Sequence, residues 1–204
     1  MVISDIYLTK RGKYALFSDG EFLFSVDEST FVEYSLYKGM EVDEVFLTEL
    51  KDKSDFAAAK AKAYELLSYR DHTRLELLDK MTKRYDELTA EKVVFEITRL
   101  GYIDEEKYAR NCLEYLFKTK LSSIYNARMY LLKRGIGDDI ANQIIEEYAP
   151  DERAFIRYIF ETRYFESFYK KGGYEKVFGA FMRKGFRYDD IHEVLSEYYI
   201  VRGD

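Results

Sequence analysis

The residues best placed to do chemistry are cations that recur at a fixed interval. Lys83-Arg84, Lys133-Arg134 and Arg183-Lys184 stand 50 residues apart, each at the close of an amphipathic stretch. Arg128 accompanies the second pair and Arg187 the third, and a further group, Arg70, Arg74 and Lys80, opens the first of these stretches. Lysine and arginine near a helix C-terminus satisfy orphan carbonyls, worth a few tenths to about 1 kcal/mol each. That accounts for any single pair. Recurrence in register says more, because stacked units bring equivalent positions to one face, and the pairs are then expected to line up as an interrupted basic stripe. Such a stripe suits a phosphate backbone or an acidic protein groove, and salt weakens both contacts.

Catalytic constellations are missing from the sequence. His72 and His192 are 120 residues apart, with no HExxH-like spacing. Cys112 is the one cysteine, so an internal disulfide and a multi-cysteine zinc site are excluded, and its place on an apolar stripe reads as a small core residue. There is no Gly-x-Ser-x-Gly, no glycine-rich phosphate loop and no dinucleotide fingerprint. Asp138-Asp139 and Asp189-Asp190 fall at expected helix starts, where carboxylates cap free N–H groups and meet the positive end of the helix dipole. The chain is read as a non-enzyme without metal or cofactor. Its one dense aromatic run, Tyr164, Phe165, Phe168 and Tyr169 before Lys170-Lys171-Gly172-Gly173, is core plus loop or else a partner-contact patch.

Composition sets the frame for these side chains. With 204 residues, 47% hydrophobic and 34% charged, the chain can bury a core under a wet surface, which rules out general disorder. Tyrosine and phenylalanine number 20 and 15 with no tryptophan, so they must fill the interfaces between elements. No apolar run approaches the roughly 18 residues of a membrane-spanning helix. Asp5 interrupts the region where a secretory signal needs an apolar run, so the expected location is cytoplasmic with no membrane partner. Charge is uneven: residues 1–50 hold 4 Lys/Arg against 10 Asp/Glu, and residues 51–204 hold 28 of each sign. An acidic head on a neutral body argues against a grip on duplex DNA over the whole surface and leaves a local basic patch open.

The elements that must carry the cations follow from periodicity. Ile3, Tyr7, Tyr14, Leu16, Phe22, Phe24 and Val26 are β-formers in short runs, and Asp19-Gly20 is a two-residue hairpin signal, so the first 26 residues predict a three-stranded meander. A short helix is expected between Asp27 and Tyr37, with Ser29 or Thr30 as N-cap and a stop at Lys38-Gly39. Val42–Leu50 reads as a second short helix or partly a strand. From Ser54 onward the pattern is helical. The first round has stripes Ala57, Ala61, Tyr64, Leu67; then Leu75, Leu78, Met81; then Val93, Val94, Ile97, Leu100 between a Thr89 cap and a Gly101 stop. The second has Tyr108, Cys112, Tyr115, Leu116 behind Asp104; Ile124, Ala127, Tyr130, Leu131 behind Ser122; and Ile140, Ile144, Ile145, Tyr148 behind Asp138. The third, with Pro150 in its first turn, has Phe155, Tyr158, Ile159; then Val177, Phe178, Phe181, Met182; then Ile191, Val194, Leu195, Tyr198. A period near 50 marks a tandem array. The expected fold is mainly α: three three-helix repeats at 51–103, 104–149 and 150–204, preceded by a β-meander and short helix at 1–50.

These residues also resemble a known family. Leu66-Leu67-Ser68-Tyr69-Arg70-Asp71-His72-Thr73-Arg74-Leu75-Glu76-Leu77 is similar to the opening motif of the RecX family. Leu100-Gly101-Tyr102-Ile103-Asp104-Glu105-Glu106-Lys107-Tyr108-Ala109 is similar to its centre, and Leu131-Leu132-Lys133-Arg134-Gly135-Ile136 to its helix end. Asp19-Gly20-Glu21-Phe22, Phe24-Ser25-Val26-Asp27-Glu28 and Leu36-Tyr37-Lys38-Gly39-Met40 resemble the N-terminal segment of its longer Gram-positive members. The resemblance implies a non-catalytic regulator of recombination and DNA repair in the SOS response. Its implied partner is the recombinase RecA, bound as such and as its filament on single-stranded DNA. It would inhibit strand exchange and ATP hydrolysis or promote filament disassembly. The expected contacts are Arg70, Arg74, Lys83, Arg84, Arg128, Lys133, Arg134, Arg183, Lys184 and Arg187, on a monomer that touches DNA weakly if at all. The alternative is a helical-repeat module that binds DNA without RecA.

Overall fold

A computed structural model describes residues 1–200; the last four residues of the expected third repeat lie outside them. Two compact units divide the chain between Ile103 and Asp104.

The first unit opens with an antiparallel sheet of β1 (Asp5–Leu8), β2 (Tyr14–Ser18) and β3 (Glu21–Val26) in that order. Asp19 and Gly20 both take positive φ, 50° and 79°, as the tight turn between β2 and β3 requires. A bulge at Leu16/Phe17 shifts the register so that Phe17 faces Phe22. Helix α1 (Glu28–Glu33) follows, then α2 (Glu44–Tyr69), α3 (Arg74–Met81) and α4 (Glu87–Arg99). Leu47 and Leu50, early in α2, close the meander's core with Ile3, Leu16 and Val26. Ala59 and Ala63, later in the same helix, pack with Leu77, Met81, Val93 and Ile97. One 26-residue helix thus serves two cores and runs through position 50 without a break.

The second unit holds α5 (Glu105–Tyr115), α6 (Ile124–Lys133), α7 (Asp138–Tyr148), α8 (Glu152–Ile159), the single turn α9 (Phe165–Phe168), α10 (Gly173–Arg183) and α11 (Tyr188–Ile200). Two π-helical turns, Leu116–Lys120 and Phe160–Tyr164, extend α5 and α8. The cores repeat: Ala127, Leu131, Ile136, Ala141 and Ile144 in one triplet stand where Val177, Phe181, Phe186, Ile191 and Val194 stand in the next. Tyr164, Phe168 and Tyr169 pack around the Phe160–Phe181 core.

Several local expectations need correction. Asp27, Asp86 and Ser123 cap α1, α4 and α6 in place of Ser29 or Thr30, Thr89 and Ser122, because each sits one position outside the first helical residue and accepts from the amide three residues on. Pro150 precedes the Asp151 cap of α8, outside its first turn. Asp138 and Asp139 lie in the first turn of α7, whose N-cap is Gly137. Val42–Leu50 contains no strand; Asp43 caps α2 and the segment from Glu44 is helical. Ala61, Leu75, Leu100, Tyr115 and Tyr158 face water, and the buried stripes of α2 and α3 run through Ala59, Ala63 and Leu77.

Candidate functional site

The second helix of each triplet ends at the recurring cations. Lys133 closes α6 and Arg134 is its C-cap; Arg183 closes α10 and Lys184 is its C-cap. Gly135 and Gly185 follow at φ 81° and 82°, the left-handed conformation that lets Ile136 and Phe186 turn back into the core. In the first triplet α3 ends at Met81, and Lys83 and Arg84 lie in the turn beyond its cap Thr82. Tyr85 stands where the later repeats have glycine, and its hydroxyl donates to the Ala58 carbonyl at 3.2 Å.

Within the second unit each pair divides its labour. The Arg134 guanidinium donates to the Tyr108 hydroxyl at 3.0 Å and lies 4.7 Å from the Tyr130 ring centre, a cation–π contact. Lys133 points into solvent. The Lys184 ammonium donates to the Lys120 carbonyl at 2.8 Å, and burial, aided by the charges of Arg163 and Lys120, lowers its pKa. Arg183 is exposed. One cation of each pair holds the helix end, and its neighbour is presented to water.

The remaining expected residues fall into the same two kinds. Arg128 donates to Asn142 at 3.0 Å and pairs with Asp138, clasping α6 to the start of α7. Arg70 pairs with Glu76 at 2.9 Å and donates to the Asp71 carbonyl, which fixes the turn into α3. Arg74 is the first residue of α3 and borders a groove against α4. Lys83, Arg84 and Arg187 are exposed.

The repeats of the second unit meet through groups that periodicity does not reveal. The Lys184 carbonyl accepts from the Ser123 amide and from the Asn126 side chain, so the end of α10 meets the start of α6. A carboxylate of Glu152, in the first turn of α8, accepts from the Ile124 amide at 3.1 Å; burial raises its pKa. Leu121 takes φ 52° and buries its side chain in the Phe160–Phe181 core, with Phe117, Phe155 and Phe186 ring to ring beside it. With α10 ending where α6 begins, Lys184 and Lys133 mark opposite ends of α6, roughly 15 Å apart at 1.5 Å per residue.

Among the described residues no three or more His, Cys, Asp or Glu side chains gather as a metal site, and no helix is long and apolar enough to cross a membrane.

Comparison with known proteins gives a consistent result. Residues 59–95 match the family model described as RecX, first three-helix domain. A regulatory protein RecX of Leuconostoc citreum is 27% identical over 202 residues, covering 95% of this chain and 75% of that protein. One of Lactobacillus delbrueckii subsp. bulgaricus is 32% identical over 155 residues, and the chain spans 57% of its length. A crystal structure of a regulatory protein RecX superposes with a TM-score of 0.71 over 96% of this chain and 98% of that one, at 22% identity, which shows the shared fold.

Proposed function

The chain belongs to the RecX family of regulatory proteins, and from that premise we propose that it binds the recombinase RecA and its filament on single-stranded DNA and inhibits strand exchange and ATP hydrolysis. It acts without catalysis of its own, in the cytoplasm, as a regulator of recombination and repair. The observation that carries this reading is the division of labour at the helix ends. Lys133 and Arg183 are held outward by partners, Arg134 and Lys184, that anchor the same turns. With Lys83, Arg84 and Arg187 they offer exposed cations at equivalent joints. Contacts to successive protomers of a filament act at high effective concentration, so several modest ion pairs suffice for tight binding. Lodging across protomers would hinder the relative motions that filament catalysis needs.

The net charge of −6 supports a protein partner over bare DNA. The deciding experiment is co-sedimentation with RecA on single-stranded DNA, alongside the same DNA without RecA and a RecA ATPase assay. Retention only with RecA, with a falling ATPase rate, is the expected outcome. Equal retention on naked DNA, falling steeply with salt, would replace this reading with that of a DNA-binding module acting without RecA.

A further inference from the structure

The outer face of the N-terminal sheet carries aromatic rings that the core beneath it does not use. Ile6, Leu16 and Phe24 lie on the inner side, with the meander's core. Tyr7, Ala15 and Phe17 alternate to the other side. Strict alternation from Phe24 would turn Phe22 inward as well, but the bulge at Leu16/Phe17 sets Phe22 opposite Phe17 on the outer face. A row of rings then crosses all three strands. The centres of Tyr7 and Phe17 are 5.5 Å apart and those of Phe17 and Phe22 5.6 Å, both edge to face. Tyr7 is 59% exposed and Phe22 58%, and neither packs in the meander's core.

The same sheet gathers the positive charge of an acidic segment. Residues 1–50 hold four Lys/Arg. Lys38 is ion-paired with Asp5, and Lys10, Arg11 and Lys13 all sit in the turn between β1 and β2. That turn is closed tightly: the Thr9 amide donates to the Lys13 carbonyl at 2.7 Å, and the Gly12 amide to the Thr9 carbonyl at 3.0 Å. Lys10 and Arg11 stand exposed at its apex, and Lys13 alternates to the outer face with Ala15 and Phe17. Among the described residues these three cations form no ion pair. Of the carboxylates on the sheet and the segment leaving it, Asp5 is held by Lys38, and Asp27 caps α1. Glu28 begins α1 on the inner side, where Phe31 stacks on Tyr14. Asp19 and Glu21 flank the opposite turn, with Asp19 roughly 20 Å from Lys13 along β2 at about 3.3 Å per residue.

Exposed rings on an open sheet beside unpaired cations are what single-stranded nucleic acid requires, since any base stacks on the rings and the cations take the phosphates. A duplex hides its base faces, and an acidic protein surface accounts for the turn but not for the rings.

We propose that the outer face of this sheet binds single-stranded nucleic acid, with bases stacked on Tyr7 and Phe22 and phosphates at Lys10, Arg11 and Lys13. Asp19 and Glu21 repel phosphate from the far end and so set on which side the backbone lies. Two stacked bases and a few phosphates give a dissociation constant on the order of a millimolar. That is too weak to hold bare DNA in a pellet, and it adds to filament binding where the strand is already near.

The test titrates a single strand of about 12 nucleotides, and separately its duplex, into the full isotope-labelled chain while backbone amide signals are followed. Saturable shifts in residues 7–25 with the single strand, and none there with the duplex, are expected. Tyr7→Thr and Phe22→Thr keep a β-former at an exposed strand position and should each weaken binding about fivefold or more; Phe22→Tyr should retain it. Lys10→Glu with Arg11→Glu should weaken it about tenfold and flatten its salt dependence. Lys133→Glu with Arg183→Glu should bind the strand as the parent does, so this site can fail while the RecA reading stands. Absent shifts in the sheet, unaltered binding by both threonine variants, or equal binding of the duplex would overturn the assignment. Saturation by a short polyglutamate peptide that the threonine variants keep and the Lys10→Glu, Arg11→Glu variant loses would give the turn to an acidic protein and overturn it as well.

Discussion

The backbone carbonyl of Lys184 lies 3.2 Å from the amide nitrogen of Ser123, and the amide group of Asn126 donates to the same oxygen at 2.9 Å. The orphan carbonyl at the end of one helix and the orphan N–H at the start of another satisfy each other across two repeats. Ser123, fully buried, caps α6 from the same position with its side chain. Sequence repetition here becomes physical coupling: the joint fixes where Arg183 emerges relative to α6.

Gly185 makes that joint possible and is expected to be irreplaceable. Its φ is +82°, and a Cβ there would stand 2.6 Å from the Asn126 side chain that bonds Lys184. Gly185→Ala should cost about 2–3 kcal/mol of unfolding free energy, from left-handed strain and a lost hydrogen bond. Gly179→Ala, inside α10 with its nearest atom 3.4 Å away, should gain up to about 1 kcal/mol in helix propensity. Urea denaturation of the two variants should give opposite signs, and equal effects would contradict the packing described.

Glu152 makes the stability of the second unit depend on pH. Burial raises its pKa above the ordinary 4.5, and Asp190 and Asp151 add to the rise while Arg187 opposes it. Between the ordinary value and the raised one the native state holds a proton that the unfolded chain has released, so stability falls as pH rises through that window. Glu152→Gln keeps an acceptor for the Ile124 amide and cannot ionise. Its stability relative to the parent should therefore grow as pH rises from 4.5 and level off once the parent is ionised, measured as urea midpoints. Glu152→Ala removes the acceptor together with the titration, so a loss of about 1 kcal/mol below pH 4.5, as for a removed cap, should shrink as pH rises through the same window.

His72 gives the first unit a slope of the opposite sense. Its Nδ1 lies 2.9 Å from the Arg70 carbonyl, so the proton sits there, and Nε2 is buried without a hydrogen-bond partner. Burial lowers its pKa from the ordinary 6.5, with the charges of Arg70 and Lys80 adding to that and Glu76 opposing. Stability is then present in full above 6.5 and is lost as pH falls toward the depressed value. His72→Asn retains a donor for the Arg70 carbonyl and has nothing to titrate. Below pH 6.5 it should lose less stability than the parent; parallel curves would show that the imidazole is not the group responsible.

The repeats and the meander were legible because burial obeys period: Val93, Ile97, Leu131, Ile144, Phe181 and Val194 are core residues on both readings. Alanine blurred the rest. In Phe56-Ala57-Ala58-Ala59-Lys60-Ala61-Lys62-Ala63 the small residue occupies both faces, and only the Leu77–Ile97 surface selects Ala59 and Ala63. Caps were misplaced, at Ser29 or Thr30 where Asp27 serves and at Ser122 where Ser123 serves, since the winner is set by where the first turn packs. The helix ends that carry the paired cations were legible in the period, and the orientation of each side chain was not. Nothing in Lys133-Arg134 says which cation turns inward; Tyr108 and Tyr130, on α5 and α6, decide it.

That decision gives the sharpest prediction about function. Lys133→Glu with Arg183→Glu reverses two exposed charges whose side chains hold nothing in place, so helical content by circular dichroism should be unchanged. If these residues face RecA, filament affinity at low salt should fall about tenfold, the scale of 1.4 kcal/mol, and the remaining binding should depend less on salt. Arg134→Met is the converse probe. It removes the hydrogen bond to Tyr108 and the contact over Tyr130, which should cost about 1–2 kcal/mol of stability, while the folded fraction inhibits RecA ATPase nearly as the parent does. The two variants thus separate what each pair presents from what it anchors. An unaltered filament affinity in the double reversal, read by co-sedimentation across a salt series, would remove the helix ends from the interface even though the family assignment stood.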